Sequence, residues 1–259
     1  MNRTSISDLK AKAKDQLLGN YGMATGSFAL LFVILYAIMS IIMSAFTLGV
    51  VRTNPELFVK GFVGQLISQV IGMVVGTLSV LFSVGYIQIL RRISGGEQAQ
   101  LSDLFHVFKN HPDKVIIVSL ILTGAQFVLL LPATIVMGDG FIVKGSLELD
   151  GRRFLLWVVL YIAGFVISFI IDLMLAMSFM IYLDDPETEV SQILSGSISM
   201  MKGNKFRYFY MILSFLGYWL LIILSLGIAM LWVVPYQTMT TLEFYNDLKE
   251  GTGDEYYQL

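Results

Sequence analysis

The sequence contains no cysteine. That excludes a secreted disulfide scaffold and any paired-cysteine motif. Charge is scarce, at 14% of residues against about 25% in average soluble domains. Neither sign prevails: 17 Lys and Arg face 19 Asp and Glu, for a net charge of −2. With no long basic run, a nucleic-acid partner is not expected. Apolar residues are what the chain has in excess. They make up 56% of its 259 residues, and the mean hydropathy is +0.75. Disorder is excluded for nearly the whole length. The pattern reads as an all-α, polytopic membrane helix bundle whose first partner is the lipid bilayer.

Crossing about 30 Å of hydrocarbon takes roughly 20 apolar residues. Charge-free intervals place the spans at about 27–50, 68–90, 115–137 and 154–183, the last interrupted by Asp172. The final interval, between Arg207 and Glu243, is too long for one helix, since roughly 35 residues would reach about 50 Å. Ser225-Leu226-Gly227 near its middle suits a turn. A helical hairpin, 206–224 and 228–246, brings the expected total to six. A single long tilted helix is the alternative. Residues 1–250 then form one transmembrane domain, followed by a mobile tail at 251–259. Glu56–Leu66 reads as a short helix on the membrane surface, with Leu57, Phe58, Phe62 and Leu66 toward lipid.

Six spans put both ends on one side. That side holds Arg3, Lys10, Lys12, Lys14, Arg91, Arg92, Lys109, Lys114, Lys202, Lys205, Arg207 and Lys249; the other holds Arg52, Lys60, Lys144, Arg152 and Arg153. The positive-inside rule makes the first side cytoplasmic. The first twenty residues are polar and helical, so an uncleaved first span is expected to direct insertion.

Three segments before apolar spans look alike: Ser5–Asn20, Ser102–Asn110 and Ser191–Asn204. Each opens on Ser, carries apolar residues at helical spacing and ends in Asn. In the first, Ile6, Leu9, Ala13 and Leu17 share a face and Ser5 with Asp8 fits a capping box. The chain therefore reads as a three-fold hairpin repeat, each unit an amphipathic cytoplasmic helix plus two spans. The competing reading is that any chain of hairpins yields such matches.

These residues also carry a resemblance. Leu9 to Lys14 and Leu18-Gly19-Asn20-Tyr21-Gly22, with Gly85-Tyr86, Gly95-Gly96 and Leu104-Phe105, resemble an uncharacterised integral membrane family of Gram-positive bacteria known as domain of unknown function 975. Met201 to Phe206, Leu213 to Trp219, Leu226-Gly227-Ile228, Trp232-Val233, Pro235-Tyr236 and Phe244-Tyr245 resemble it further. The resemblance implies a multi-pass protein of the bacterial plasma membrane. It implies no activity and no catalytic residues.

Asp172 is the sharpest candidate for chemistry. It lies about ten residues from the end of its span, near mid-depth by helical rise. A carboxylate there costs roughly 2.5–3.5 kcal/mol and marks ion or proton paths by default. An interior position is expected, with Gln126 and Ser168 as hydrogen-bond partners. The other reading is a protonated structural residue. Gly64, Ser68, Gly72 and Gly76 recur every fourth position, a small-residue face for helix packing or for pairing two copies. Pro132 and Pro235 each delete a backbone donor and mark expected helix breaks. Trp and Tyr residues near the span ends read as interface belts.

Asp103, His106, His111 and Asp113 crowd one segment, but the histidines are five apart and Pro112 follows, so no metal is expected. Asp184, Asp185, Glu187 and Glu189 read as a solvated helix start. No nucleophile, phosphate-loop or metalloprotease motif occurs, so neither catalytic residues nor cofactors are expected. The leading expectation is a non-enzymatic scaffold or accessory to other envelope components, partnered by a membrane protein or a second copy. The alternative is a transporter or permease for an ion, lipid or small amphiphile.

Overall fold

A computed structural model describes residues 4–53, 62–137 and 150–252. Among these residues every regular element is helical: α1 (Ile6–Leu17), α2 (Tyr21–Thr53), α3 (Phe62–Ser94), a 3-10 turn at Leu101–Phe105, α4 (His106–Lys109), α5 (Pro112–Met137), α6 (Gly151–Leu175), α7 (Ser178–Asp184), α8 (Val190–Met201), α9 (Lys205–Leu213), α10 (Leu216–Leu224) and α11 (Met230–Thr252). They fall into two compact units. The first takes the described residues up to Ile34, Val80–Val118 and those from Leu173 on; the second takes Leu35–Ser79 and Ser119–Asp172.

Five stretches are long and apolar enough to cross a membrane: Tyr21–Ala45, Leu66–Ser94, Pro112–Met137, Gly151–Asp184 and Lys205–Leu224. The sixth expected span, 228–246, falls in α11. That helix is apolar only at its start; from Gln237 on it carries Thr240, Thr241, Glu243, Asn246 and Asp247. The turn between α10 and α11 is where the sequence places it. Leu226 and Gly227 take positive φ, +52° and +93°, and Ser225 Oγ accepts from the Ala229 amide at 2.9 Å. The proposed surface helix at Glu56–Leu66 lies outside the described residues up to Gly61, and Phe62–Leu66 forms the start of α3 instead. The tail from residue 253 also lies outside them.

In the first unit, α1 begins at Ser5, whose Oγ accepts from the Asp8 amide at 3.2 Å and donates to its carboxylate at 2.6 Å. Its stripe of Leu9, Ala13 and Leu17 is at most 2% exposed. Protein covers this stripe: α1 packs on α11. The C-terminal half of α11 offers its own apolar face, with Leu242, Phe244, Tyr245 and Leu248 all buried. An amphipathic helix buries its stripe against whichever apolar partner is nearest, and here that partner is protein.

The helix breaks do not occur at prolines. Helices α5 and α11 run on through Pro132 and Pro235, which corrects that expectation. The apolar stretch at Gly151–Asp184 breaks instead at Ala176 and Met177, where Ser197 Oγ accepts from the Met177 amide at 3.2 Å and donates to the Met174 carbonyl at 3.0 Å. The stretch at Lys205–Leu224 breaks at Ser214 and Phe215. There Lys10 Nζ donates to the Ser214 carbonyl at 2.9 Å and lies 4.0 Å from the Phe215 ring centroid. A hydroxyl or ammonium from another helix satisfies the backbone groups that each break frees.

Local geometry recurs at the ends of α1 and α8. Gly19 and Gly203 take φ of +83° and +79°. Asn20 and Asn204 each donate from the side-chain amide to the carbonyl four residues back, at 3.3 and 2.8 Å. Asn110 does the same to His106 at 2.8 Å. Leu9, Ala13 and Leu17 match Ile193, Ser197 and Met201 in register, and all six are buried.

Glycine matters most where a backbone comes close. In the first unit, a methyl group on Gly85 would overlap the Leu104 carbonyl. Gly85→Ala should cost about 1–3 kcal/mol through forced backbone displacement. Gly26, with nothing within 4 Å of an added Cβ, should tolerate alanine or gain up to about 1 kcal/mol. Thermal unfolding in detergent checks the contrast, and equal melting temperatures for the two variants would contradict it.

Candidate functional site

The first unit encloses a cavity of about 670 Å³ where α1, the end of α3, α4 and α11 meet. Chain chemistry explains its position. Helix α3 carries Arg91 and Arg92 in its last turn, and the chain then turns at Gly95 and Gly96, with Gly96 at φ +72° and the Glu97 amide bonded to the Arg92 carbonyl at 2.8 Å. Both guanidiniums therefore project from the last turn of an otherwise apolar helix. Lys12, Gln16, His106, Asn110, Glu243 and Asn246 complete most of the polar wall.

Buried acids hold these cations. Glu243 has a fully buried side chain and pairs with Lys12 at 2.7 Å, while Ser94 Oγ donates to it at 3.0 Å. Asp184, 8% exposed, takes Arg91 at 2.7 Å and Lys249 at 2.5 Å, and Tyr245 donates its hydroxyl at 2.7 Å. Arg91 also donates to the Leu183 carbonyl. Asp103, 9% exposed, takes Arg92 at 3.2 Å and accepts from the Gln100 amide at 2.9 Å. Nearby, Asp247 pairs with Arg207 at 2.7 Å and accepts from the Thr4 amide at 3.2 Å. A buried carboxylate without a partner would be costly, so each pairing is needed for the fold. The side-chain oxygens of Gln16 and Gln88 and Nε of Arg92 are buried without a hydrogen bond.

The field inside this cluster shifts its members in opposite directions. A hydrogen bond to Glu243 holds the Lys12 ammonium above the usual lysine range, against the pull of burial. Burial first, then the Arg92 guanidinium, pushes the His106 imidazole below its ordinary value. Burial alone would raise Asp247, but hydrogen bonds from Thr4 and Arg207 hold its carboxyl below the ordinary range.

The residues singled out from sequence lie elsewhere. Asp172 is exposed on α6, and among the described residues it makes no hydrogen bond to Gln126 or Ser168. The expected interior carboxylate is thereby corrected. Gly164 and Ser168 are buried positions of α6, and α6 meets α5 at Gly164, where a Cβ would lie 2.7 Å from the Leu129 carbonyl oxygen. Further along the helix, the side chain of Asp172 is outside that contact. Gln126 lines a cavity of about 200 Å³ in the second unit with Gln69, Gly72 and Thr123. Gln69 donates to Thr134 there at 2.5 Å. In the small-residue series, the side-chain surroundings of Gly64 lie outside the described residues. Ser68 and Gly72 are exposed, and a Cβ on Gly76 would meet Thr123 at an ordinary 3.8 Å. Asp103, His106 and His111 separate: the first binds Arg92, the second lines the large cavity, and His111 meets Glu187 at 2.8 Å. The solvated reading of Asp184 is corrected by its burial and its three partners.

A family model described as protein of unknown function (DUF975) matches residues 1–252. The chain belongs to that family. No curated protein and no solved structure matches it. The polar cluster thus falls inside the family domain, which comprises nearly the whole chain. In the sequence, Glu243 marked only the end of an apolar interval, and Asp184 read only as solvated. The available signal was position: each is an acid closing a long charge-free interval, where a carboxylate meets the ends of apolar helices and needs a cation.

The lowered His106 value has a sign that can be checked. The unfolded imidazole titrates near 6.5, and the folded one resists protonation. As pH falls below about 6.5 the unfolded state binds more protons, so stability declines. His106→Gln should shrink the drop in melting temperature between pH 7 and pH 5. Equal drops in both proteins would contradict the assignment.

Proposed function

We propose that this chain is a multi-pass protein of the bacterial plasma membrane, with both termini cytoplasmic, that acts as a non-enzymatic scaffold or accessory to other envelope components. The observation that carries this reading is the mutual pairing at the large cavity. Lys12, Arg91 and Arg92 are each engaged by an acid of the same unit, so their charge serves cohesion rather than turnover of a substrate. The five apolar stretches supply the membrane anchor, and the return through 228–246 makes the sixth crossing. Packing of α1 on α11 favours an even number of crossings, because it brings helices from both ends of the chain together. The Lys and Arg distribution then favours the cytoplasm for that side. The matched turns at Gly19-Asn20 and Gly203-Asn204 support a duplicated helix–hairpin unit as the origin of the architecture.

The transporter reading keeps one observation in its favour. The cavity of about 200 Å³ in the second unit holds Gln69, Thr123 and Gln126 on otherwise apolar helices, and polar groups there mark solute paths in other membrane proteins. Two measurements separate these readings. Single cysteines at Gln98 and Ser195 should resist an impermeant thiol reagent in intact cells, and one at Lys144 should react. Labelling of the first two would overturn the orientation. Purification from native membranes should recover a defined envelope protein at fixed stoichiometry. Recovery of the chain alone, with solute flux in proteoliposomes that Gln126→Leu abolishes, would overturn the scaffold in favour of transport.

A further inference from the structure

A second cavity in the first unit, of about 420 Å³, lies where the end of α1 and the start of α2 meet the α10–α11 hairpin. We propose that it binds the phosphate of an anionic phospholipid, with the lipid's apolar part along the hairpin. Its wall includes Lys14, Tyr21, Tyr218 and Tyr236, and among the described residues no carboxylate lines it. All four side chains can donate hydrogen bonds, one of them from an ammonium, and Tyr218 and Tyr236 also bond to each other. Such a set suits an oxyanion, since charge-assisted bonds to phosphate oxygens are the strong ones.

The contrast with the larger cavity is chemical. There, acids of the same unit take the cations. Here Lys14 has no ion pair among the described residues, whereas Lys10, one turn earlier on the same helix, is committed to the Ser214 carbonyl and the Phe215 ring. The tyrosines are held in place by ring contacts: Tyr218 and Tyr236 meet edge to face at 5.7 Å, and Phe215 backs Tyr236 at 5.3 Å.

The remaining wall selects a lipid over free phosphate. Leu221 and Trp232 form a rim about half exposed, at 50% and 51%. That rim continues onto the exposed apolar face of α10. A free phosphate would leave this surface unused. Tyr21 opens the first apolar stretch directly after the polar helix α1, which is where sequence places the water–lipid boundary. Tyr and Trp concentrate at that depth, and juxtamembrane lysines there attract anionic lipid.

The inference rests on the membrane reading above and not on the scaffold role. The test uses the full chain with Trp157→Phe and Trp219→Phe, which leaves Trp232 as its one tryptophan, reconstituted in phosphatidylcholine bilayers. Acyl-brominated phosphatidylglycerol or brominated phosphatidylcholine is titrated in, and Trp232 quenching is read. The phosphatidylglycerol form should reach half-quenching at a mole fraction several-fold lower. Lys14→Gln should raise that midpoint about fivefold. Tyr21→Phe, which keeps the ring, should raise it less, and Lys109→Gln should leave it unchanged. Equal quenching by the two lipids, or no effect of Lys14→Gln in a protein of native helix content, would overturn the site. Relief of quenching by excess inorganic phosphate would also overturn it, by making free phosphate the ligand. Failure of the membrane reading would look different, because the chain would not remain with the bilayers at all.

Discussion

Burial of acids beside apolar helices is the constraint on which the first unit depends. Glu243, Asp184, Asp103 and Asp247 all have side chains no more than 13% exposed. Asp103 is matched locally, by Arg92; each of the other three is matched by a cation from another helix. A carboxylate in such surroundings either finds a charged partner or resists ionisation. The pairs therefore decide which helices must meet. Lys12 and the Thr4 amide bring α1 to α11, Arg91 brings α3 to the end of α7, and Arg207 ties the start of α9 to α11. The large cavity is the space left among helices held in this way.

The same unit uses polar side chains to finish what apolar helices leave open. Ser197 closes the break between α6 and α7 by accepting from one freed amide and donating to one freed carbonyl. Lys10 does the corresponding work at Ser214, and Ser225 caps the start of the last turn. Tyr86 sends its hydroxyl to the Ala24 carbonyl at 3.3 Å while its ring packs on Phe28. In a chain with so few charges, these groups supply much of the directional bonding, and apolar contact fills the space between. Close backbone approach at Gly85 and Gly164 serves the same economy of space in each unit.

Much of the helix layout is legible in the sequence. Charge-free intervals located the apolar helices because a charge inside hydrocarbon is costly, and Ser5 and Gly227 marked a helix start and a turn by their own backbone chemistry. Four features were not legible. The breaks at Ala176 and Ser214 carry no proline and depend on Ser197 and Lys10 arriving from other helices. Asp172 drew attention as an isolated carboxylate, yet its exposure depends on where α5 and α6 touch, at Gly164. The pairing of Asp184 and Glu243 requires knowing which ends of which helices adjoin, and hydropathy is silent on that. The α1 stripe was legible as apolar, but whether protein or lipid covers it depends on the face that α11 presents.

The most direct test of these cross-chain pairs is a double-mutant cycle on Arg207 and Asp247, whose side chains are 14% and 13% exposed and lie 2.7 Å apart. Arg207→Ala, Asp247→Ala and the double variant would be unfolded in one detergent. If buried acids fix the helix partners, removing either residue strands the other, and the pair should couple by about 1–3 kcal/mol. Effects that add within about 0.5 kcal/mol would contradict it.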